Sequence, residues 1–256
     1  MLYIATSDDD TIQILDVATL SPVGSLPSGD DPETFCIHPN GRWLYASNED
    51  DNTVSVVDLD KGQLIKRIPV GVEPEGMAVS NDGKWVVNTS ETSNMVHWID
   101  PVDQSVKANT LVDSRPRRAA FSHDGEWLFV SSEIAGVVAR LSVDSKEVEQ
   151  KIFFKIPGVP QDLIQPVGVL IHPDDKTLFV ALGPANRVAV VDIESMVVKK
   201  YLLVGQRVWN LAFSPDFKRL YTSNGVSNDI SIIDVANLKV IKSTRVGRYP
   251  WGLAVK

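Results

Sequence analysis

Short apolar segments that end in an aspartate recur along the whole chain. They read TIQILD, TVSVVD, MVHWID, RLSVD, RVAVVD and SIID, and they end at Asp16, Asp58, Asp100, Asp144, Asp192 and Asp234. These carboxylates are 42, 42, 44, 48 and 42 residues apart. A period of this length indicates a repeat fold in which each repeat is one supersecondary unit. Because the aspartates recur in every repeat, we expect them to cap turns by accepting hydrogen bonds from backbone amides.

A second landmark precedes another apolar segment of each repeat. It is proline in five repeats and valine in one, and the residues are Pro32, Pro74, Pro116, Pro166, Val208 and Pro250. Their spacings are 42, 42, 50, 42 and 42 residues, so the single long interval contains eight extra residues, around IPGVPQDLIQP. Loops accept insertions more easily than strands do, so we place the extra residues in a connection.

Each repeat contains four segments with the length and composition of β-strands. In one repeat they read PEGMAVS, KWVVNTS, NMVHWID and SVKANTLV. Asn40-Gly41, Asp82-Gly83 and Asp124-Gly125 stand at hairpin turns and suit them, whereas Asp174-Asp175 and Asp216-Phe217 depart from that turn chemistry. Since a sheet with two apolar faces is buried by stacking on its neighbours, the sequence predicts an all-β fold. It is a β-propeller of six four-stranded blades, forming a single domain over residues 1–256.

The two ends of the chain read as parts of one repeat. The chain begins at a second strand, MLYIATS, and ends after a first strand, PWGLAV. We therefore predict that residues 250–255 form the innermost strand of the blade begun by residues 2–27, which closes a six-bladed ring. The alternative is a gapped ring with a poorly ordered first blade.

Composition and charge exclude several classes of function. The net charge of −8 and the absence of a basic cluster disfavour nucleic acid as a partner, and no apolar run is long enough for a membrane span. Cys36 is the only cysteine, and no spacing of metal ligands or context for a catalytic nucleophile occurs. The sequence therefore predicts a binding protein without catalytic residues, metal or cofactor. The N-terminus lacks a secretory signal, which indicates a cytosolic protein if the chain is complete.

The repeats carrying YASNEDDNTVSVVD and IPVGVEPEGMAVSNDGK resemble YVTN-type β-propeller repeats. The non-repeating stretches VNTSETSNMVHWID, NTLVDSRPRRAAF and LLVGQRVWNLAFSPD are similar, more narrowly, to the β-propeller family associated with pyrroloquinoline quinone-dependent catabolism. This resemblance implies a periplasmic, non-enzymatic protein that works with a quinoprotein alcohol dehydrogenase or its cytochrome. Members of that family are typically seven-bladed, whereas this chain has six repeats.

Propeller sites usually lie at the mouth of the central channel, where loops enter the innermost strands. The residues predicted to form a binding site there are Arg115, Arg117, Arg118, Glu75, Glu91, Glu133, Trp209 and Trp251. The arginines suit capture of a small carboxylate or an acidic partner, and Arg118 occupies a position that is glycine in three other repeats. The alternative is that they pair internally with the glutamates. The tryptophans either stack on a ligand or pack against the protein.

Two other functions remain open from the sequence. One is a propeller-type lactonase or related hydrolase with its active site at the channel mouth, for which Glu91, Glu133, Asn186 and Asn224 are the available side chains. The other is a cell-surface protein, which YVTN repeats also form.

Overall fold

The computed structural model describes residues 1–256, and its regular elements are β-strands with two short 3-10 turns, at Ser7–Asp9 and Gln161–Leu163. The residues form two compact units, residues 1–121 and residues 122–256, named here the first and second units. The fold is an all-β, six-bladed propeller, as the repeat predicts. No helical segment has the length and apolar character needed to cross a membrane.

The first unit contains three antiparallel sheets and one further strand. The sheets have the orders β1-β2-β3, β4-β5-β6-β7 and β8-β9-β10-β11. The strands are β1 Leu2–Thr6, β2 Thr11–Leu15, β3 Pro22–Pro27, β4 Pro32–Ile37, β5 Trp43–Asn48, β6 Thr53–Asp58, β7 Gln63–Pro69, β8 Pro74–Val79, β9 Val86–Ser90, β10 Met95–Asp100, β11 Ser105–Leu111 and β12 Pro116–Phe121.

The second unit begins with three paired strands of the fourth repeat and contains the sheets of the fifth and sixth, β16-β17-β18-β19 and β20-β21-β22-β23. The strands are β13 Trp127–Ser132, β14 Val137–Ser142, β15 Val148–Phe153, β16 Val169–Ile171, β17 Thr177–Ala181, β18 Arg187–Asp192, β19 Val197–Leu203, β20 Val208–Phe213, β21 Arg219–Asn224, β22 Asp229–Asp234 and β23 Lys239–Arg245. The extra residues predicted for a connection lie between β15 and β16.

Both faces of a blade are buried, which is why stacking is required. In β6, Val56 packs into a cluster with Tyr45 and Ile99, whereas its neighbour Val57 packs into another cluster with Ile12. The register of the third and fourth strands shifts between these two valines, and the same shift recurs at the corresponding position of the other five repeats. A bulge increases strand twist locally, so every blade receives the same twist from the same position.

In five repeats the aspartate at the end of the third strand caps the following turn, as predicted. In the fourth repeat the predicted aspartate does not. Asp58 accepts hydrogen bonds from the backbone N–H groups of Asp60 and Lys61, at 3.0 and 3.1 Å. In the fourth repeat β14 ends at Ser142, whose hydroxyl accepts the Ser145 N–H at 3.2 Å. The prediction of Asp144 as that cap is wrong, because serine fills the same role two residues earlier.

The hairpin turns without glycine adopt the same conformation as those with it. Gly41, Gly83 and Gly125 have φ between 70° and 78°, and Asp175 and Phe217 have φ of 53° and 57°. Residues other than glycine rarely adopt this left-handed backbone conformation, and Phe217 adopts it at a cost in backbone strain. The pairing of the two flanking strands therefore determines the backbone conformation of the turn, and the residue types in the turn affect only its stability.

A side-chain hydrogen bond ties each of several blades to the inner strand that follows. The hydroxyl of Ser47 donates to the Glu75 carbonyl at 2.6 Å, and that of Thr89 donates to the Arg117 carbonyl at 2.7 Å. In the second unit Ser131 donates to Val167 at 2.6 Å. These bonds join separate sheets without a backbone ladder, and we call them blade ties.

The first sheet has three strands where the sequence predicts four, because residues 251–256 form no strand. The predicted ladder between residues 250–255 and the first sheet is therefore wrong. The C-terminal segment is instead held by a blade tie, in which Ser223 donates to the Trp251 carbonyl at 2.6 Å. Asn210 donates to the same carbonyl at 3.0 Å. The segment thus keeps the tie of an inner strand but lacks the ladder.

Candidate functional site

Five residues at one repeat position, where the chain enters an inner strand, have left-handed backbones and are named here the rim residues. They are Asp31, Glu73, Arg115, Arg207 and Tyr249, with φ of 54°, 56°, 59°, 52° and 48°. Such a conformation is uncommon for residues other than glycine and persists only where the surroundings enforce it. The backbone is constant across the five, but the side chains differ in charge and size.

Each rim residue is held by a side chain 21 residues earlier. The side-chain oxygens of Asp10, Asn52, Asn94, Asn186 and Asn228 accept the rim N–H groups at distances between 2.8 and 3.1 Å. These holding residues are themselves left-handed, a conformation that asparagine and aspartate tolerate best after glycine. We call this hydrogen bond the rim clamp. In the fourth repeat Gly136 stands at the holding position, and the corresponding Gln165 is not left-handed.

Four of the predicted site residues meet in the first unit. Arg117 is buried, and its guanidinium forms an ion pair with Glu75, with a nitrogen–oxygen distance of 3.2 Å, and another with Glu91. The Nε of Arg115 lies 2.8 Å from the second oxygen of Glu91. The geometry is thus the internal pairing that the sequence left as an alternative. Both glutamates are also buried, so these charges stabilise one another inside the protein.

Arg118 stands at a position where the inner strands approach their neighbours closely. A Cβ atom on Gly76, its equivalent one repeat earlier, would lie 2.0 Å from the Arg117 carbonyl oxygen. A Cβ on Gly168 would lie 2.7 Å from the Trp209 carbonyl oxygen. Glycine is therefore sterically required in those repeats. The Arg118 side chain is partly buried, and this burial lowers the pKa of its guanidinium.

Three carboxylates that the sequence did not single out cluster in the first unit. Oxygens of Asp31, Glu33 and Glu49 lie within 4.8 Å of one another. Burial, followed by the charges of Glu75, Glu49 and Asp31, raises the pKa of Glu33 to about 8. Carboxylate oxygens are the ligands that Ca²⁺ prefers, so these residues are the ones able to hold a divalent cation. The available signal was positional, because Asp31 and Glu33 flank Pro32 and Glu49 precedes Glu91 by one period.

The other predicted site residues lie in the second unit. Arg207 contacts Glu133 with a nitrogen–oxygen distance of 3.7 Å, and its guanidinium carbon lies 4.4 Å from the ring centroid of Trp209. The indole also packs against Gly225, because a Cβ there would come within 2.5 Å of its Nε1. Trp209 therefore packs against the protein, while Trp251 contributes its carbonyl to the blade tie.

The two asparagines considered for a hydrolase have structural partners. Asn186 forms the rim clamp of Arg207, and Asn224 donates from Nδ2 to Asp229 at 2.6 Å and to Ser231 at 3.0 Å.

His97, buried within β10, contacts Asn109 through Nδ1 at 2.7 Å and accepts the Gly71 N–H at Nε2. Both ring nitrogens of His97 are thereby engaged in hydrogen bonds within the protein.

The units differ strongly in charge. Residues 1–121 carry a formal net charge of −10 and residues 122–256 one of +2, which together give the −8 of the chain. The loops that carry the rim residues contribute to this difference. Asp30 in the first unit corresponds to Gln206 and Arg248 in the second, and Asp31 and Glu73 correspond to Arg207 and Tyr249. Charged partners therefore meet different surfaces on the two units.

Comparisons with known proteins agree on the fold. A family model described as YNCE-like beta-propeller matches residues 1–255. Among solved structures, hydrazine synthase of Kuenenia stuttgartiensis superposes with a TM-score of 0.86 at 20% identity, covering 97% of this chain and 84% of that one. A functionally unknown protein from Desulfotomaculum acetoxidans superposes with a TM-score of 0.81 at 11% identity, covering 94% and 78%. Among curated proteins, no significant sequence match was found.

Proposed function

The chain belongs to the YNCE-like β-propeller family, and from that premise we propose that it is a non-catalytic binding module in which the rim residues of each unit form a contact surface. The observation that carries this proposal is the rim clamp. It fixes one strained backbone conformation at five equivalent positions and presents Asp, Glu, Arg, Arg and Tyr from it. Strained residues cluster at ligand-binding sites, and side chains on a rigid backbone bind with little entropic cost.

The buried ion pairs of the first unit support the same proposal. Arg117 is fixed between Glu75 and Glu91, so the inner layer of charge is rigid and largely shielded from water. The side chains outside this layer, among them Arg115 and Glu73, then form the contact surface for a partner.

We propose further that the partner is a quinoprotein alcohol dehydrogenase or its cytochrome, and that the protein works in the periplasm. The support is the resemblance of stretches such as VNTSETSNMVHWID and LLVGQRVWNLAFSPD to the propeller family associated with pyrroloquinoline quinone-dependent catabolism. A small carboxylate bound at Arg118 is the corresponding small-molecule proposal, because Arg115 and Arg117 pair with Glu75 and Glu91.

Calorimetric titration of the wild type and of Arg118→Gly tests this function. The injected partners are the dehydrogenase, its cytochrome and a series of small carboxylates, and melting curves are recorded in parallel. Because glycine is the residue of the equivalent positions 76, 168 and 252, the variant should keep its melting temperature and bind its partner at least tenfold more weakly. A variant that melts well below wild type and binds every partner equally well identifies Arg118 as an internal support and refutes this assignment.

A lactonase-type hydrolase is the second candidate, and the carboxylate cluster favours it. Asp31, Glu33 and Glu49 bring three oxygen ligands together, and a Ca²⁺ ion held by them would displace the proton that the raised pKa keeps on Glu33 near neutral pH. Lactone hydrolysis measured with added Ca²⁺ and with a chelator distinguishes the two functions. Calcium-dependent turnover that is lost in Glu49→Gln would establish the hydrolase and refute the non-catalytic proposal.

A further inference from the structure

Apolar side chains are exposed at the loop tips of the second unit. Ile134 is 65% exposed, Leu163 40%, Val226 51% and Tyr249 74%. Ile134 and Val226 lie in turns between second and third strands, Leu163 lies in the long connection before β16, and Tyr249 is a rim residue. All four therefore belong to the loops that enter inner strands or adjoin them.

Hydrogen bonds and an ion pair join these loops into one surface. The Val226 N–H donates to the carbonyl of Gln206 at 3.1 Å, next to Arg207. Arg207 pairs with Glu133, the neighbour of Ile134. The long connection approaches the same turn, because a Cβ on Gly136 would lie 3.1 Å from the Ile164 carbonyl oxygen. The Tyr249 N–H donates to Asn228, two residues after Val226, at 2.8 Å. The apolar tips are therefore held in fixed positions relative to one another.

Cationic side chains accompany the apolar ones. Arg207 is held by its clamp and by the Trp209 ring, and Arg248 is exposed beside Tyr249. Tyrosine and arginine are the residue types found most often as interface hot spots, and exposed apolar groups with a polar border mark protein contact sites. Since the apolar side chains are exposed at loop tips, the surface suits a protein better than a small molecule, for which a concave pocket is typical.

We propose that this surface docks a partner protein whose contact region is apolar at its centre and acidic at its border. It is named here the tip surface, and it comprises Ile134, Leu163, Arg207, Val226, Arg248 and Tyr249. The acidic border follows from charge complementarity with the guanidinium groups, in a unit whose net charge is +2. The inference rests on the proposed binding function and adds the location and chemistry of one partner.

The test uses the full chain with isotope-labelled methyl groups and two synthetic peptides of equal length. One peptide combines leucine and phenylalanine with glutamate and aspartate, and the other carries lysine in place of each acidic residue. We expect the acidic peptide to bind and to shift the methyl signals of Ile134 and Val226, and we expect the basic peptide not to bind. Added salt should weaken the binding.

A double variant, Val226→Ser with Tyr249→Asn, should weaken binding of the acidic peptide at least tenfold. Asparagine tolerates the left-handed backbone of position 249, so the rim conformation is kept. The matched control is Val197→Ser, because Val197 is 58% exposed at the start of β19, at the end of its sheet that does not carry the rim. The control should bind like the wild type.

Several outcomes overturn the proposal. They are failure of the acidic peptide to bind, equal binding of both peptides, or equal weakening by the control. Dimers of the wild type in sedimentation that disappear in the double variant would show that a second copy occupies the surface, which also refutes an acidic partner. If the double variant binds the cytochrome or dehydrogenase as the wild type does, the tip surface is refuted and the binding function stands. If the acidic peptide binds but neither protein does, only the quinoprotein assignment fails.

Discussion

The first unit places acidic or polar residues at the tips of its second-to-third strand turns, and the second unit places apolar residues at the same repeat position. They are Asp8, Asp50 and Thr92 in the first, and Ile134, Pro184 and Val226 in the second. The backbones nevertheless follow one plan, with the same bulge in every repeat and the same clamp at five rim positions. The difference shows that the recurring bulge and clamp do not depend on the residue at the tip, so the chemistry of the tips varies independently of the fold.

The largest effect that separates the units should come from their central arginines. Arg117→Met leaves Glu75 and Glu91 buried without the guanidinium they share, which should cost about 3–5 kcal/mol of unfolding free energy. Arg207→Met removes a partly exposed cation at 3.7 Å from Glu133 and should cost about 1 kcal/mol or less. Urea unfolding of both variants measures the contrast. Equal costs would mean that the buried charges of the first unit are not the stronger network.

The rim clamp should contribute equally to both units. Asn52→Ala and Asn186→Ala each remove a hydrogen bond, worth about 1 kcal/mol, and force alanine into a left-handed backbone at about 1 kcal/mol more. Each variant should therefore lose about 2 kcal/mol in urea unfolding. The matched glycine variants remove only the hydrogen bond and should lose about half as much. Clearly unequal losses at the two sites would contradict a common scaffold.

The smallest expected effect is a pH dependence confined to the first unit. The pKa of Glu33 is raised to about 8, so the folded protein holds a proton that the unfolded chain releases above the ordinary value of 4.5. Stability should therefore fall as pH rises from about 5 to about 8 and then level off. Because Glu33 is partly exposed, screening should limit the total change to about 1 kcal/mol.

Unfolding of Glu33→Gln over this pH range checks the prediction, since glutamine cannot titrate and should remove the decline. Glu149→Gln, at an exposed position of the second unit, is the control and should retain it. If the decline persists unchanged in Glu33→Gln, another group carries the proton.

The repeat period was sufficient to predict the strands, because the alternation of apolar and polar residues and the turn residues are visible within short segments of the chain. The fourth strand-end residue was assigned to Asp144 because residue type was weighed above spacing, whereas Ser142 keeps the period of 42 from Asp100. The ladder predicted for residues 250–255 depended on contacts between distant parts of the chain. Such contacts are not encoded in a strand's own pattern, and the segment is tied through Trp251 without a ladder.

The sequence predicted the places of the candidate site residues in the fold better than it predicted their contacts. Arg115 and Arg117 were placed correctly at the entrance to an inner strand, but their distances to Glu91 and Glu75 depend on how strands from two repeats meet. The cluster of Asp31, Glu33 and Glu49 was missed for the same reason, since two loops 16 residues apart bring it together. The left-handed rim residues give no sequence signal of their own, although the asparagines 21 residues earlier do.

The connection between β15 and β16 is where the chain departs from its repeat, and Gly136 is where the clamp is lost. Without a side chain, Gly136 can accept no rim N–H, and the loop of residues 154–166 packs over it instead. The connection absorbs the extra chain length, since β15 keeps six residues and only β16 is shortened, to three. For protein engineering, this connection is a natural place to insert a foreign recognition loop, and Gly136→Asn with a shortened connection is the corresponding way to restore a regular sixfold repeat.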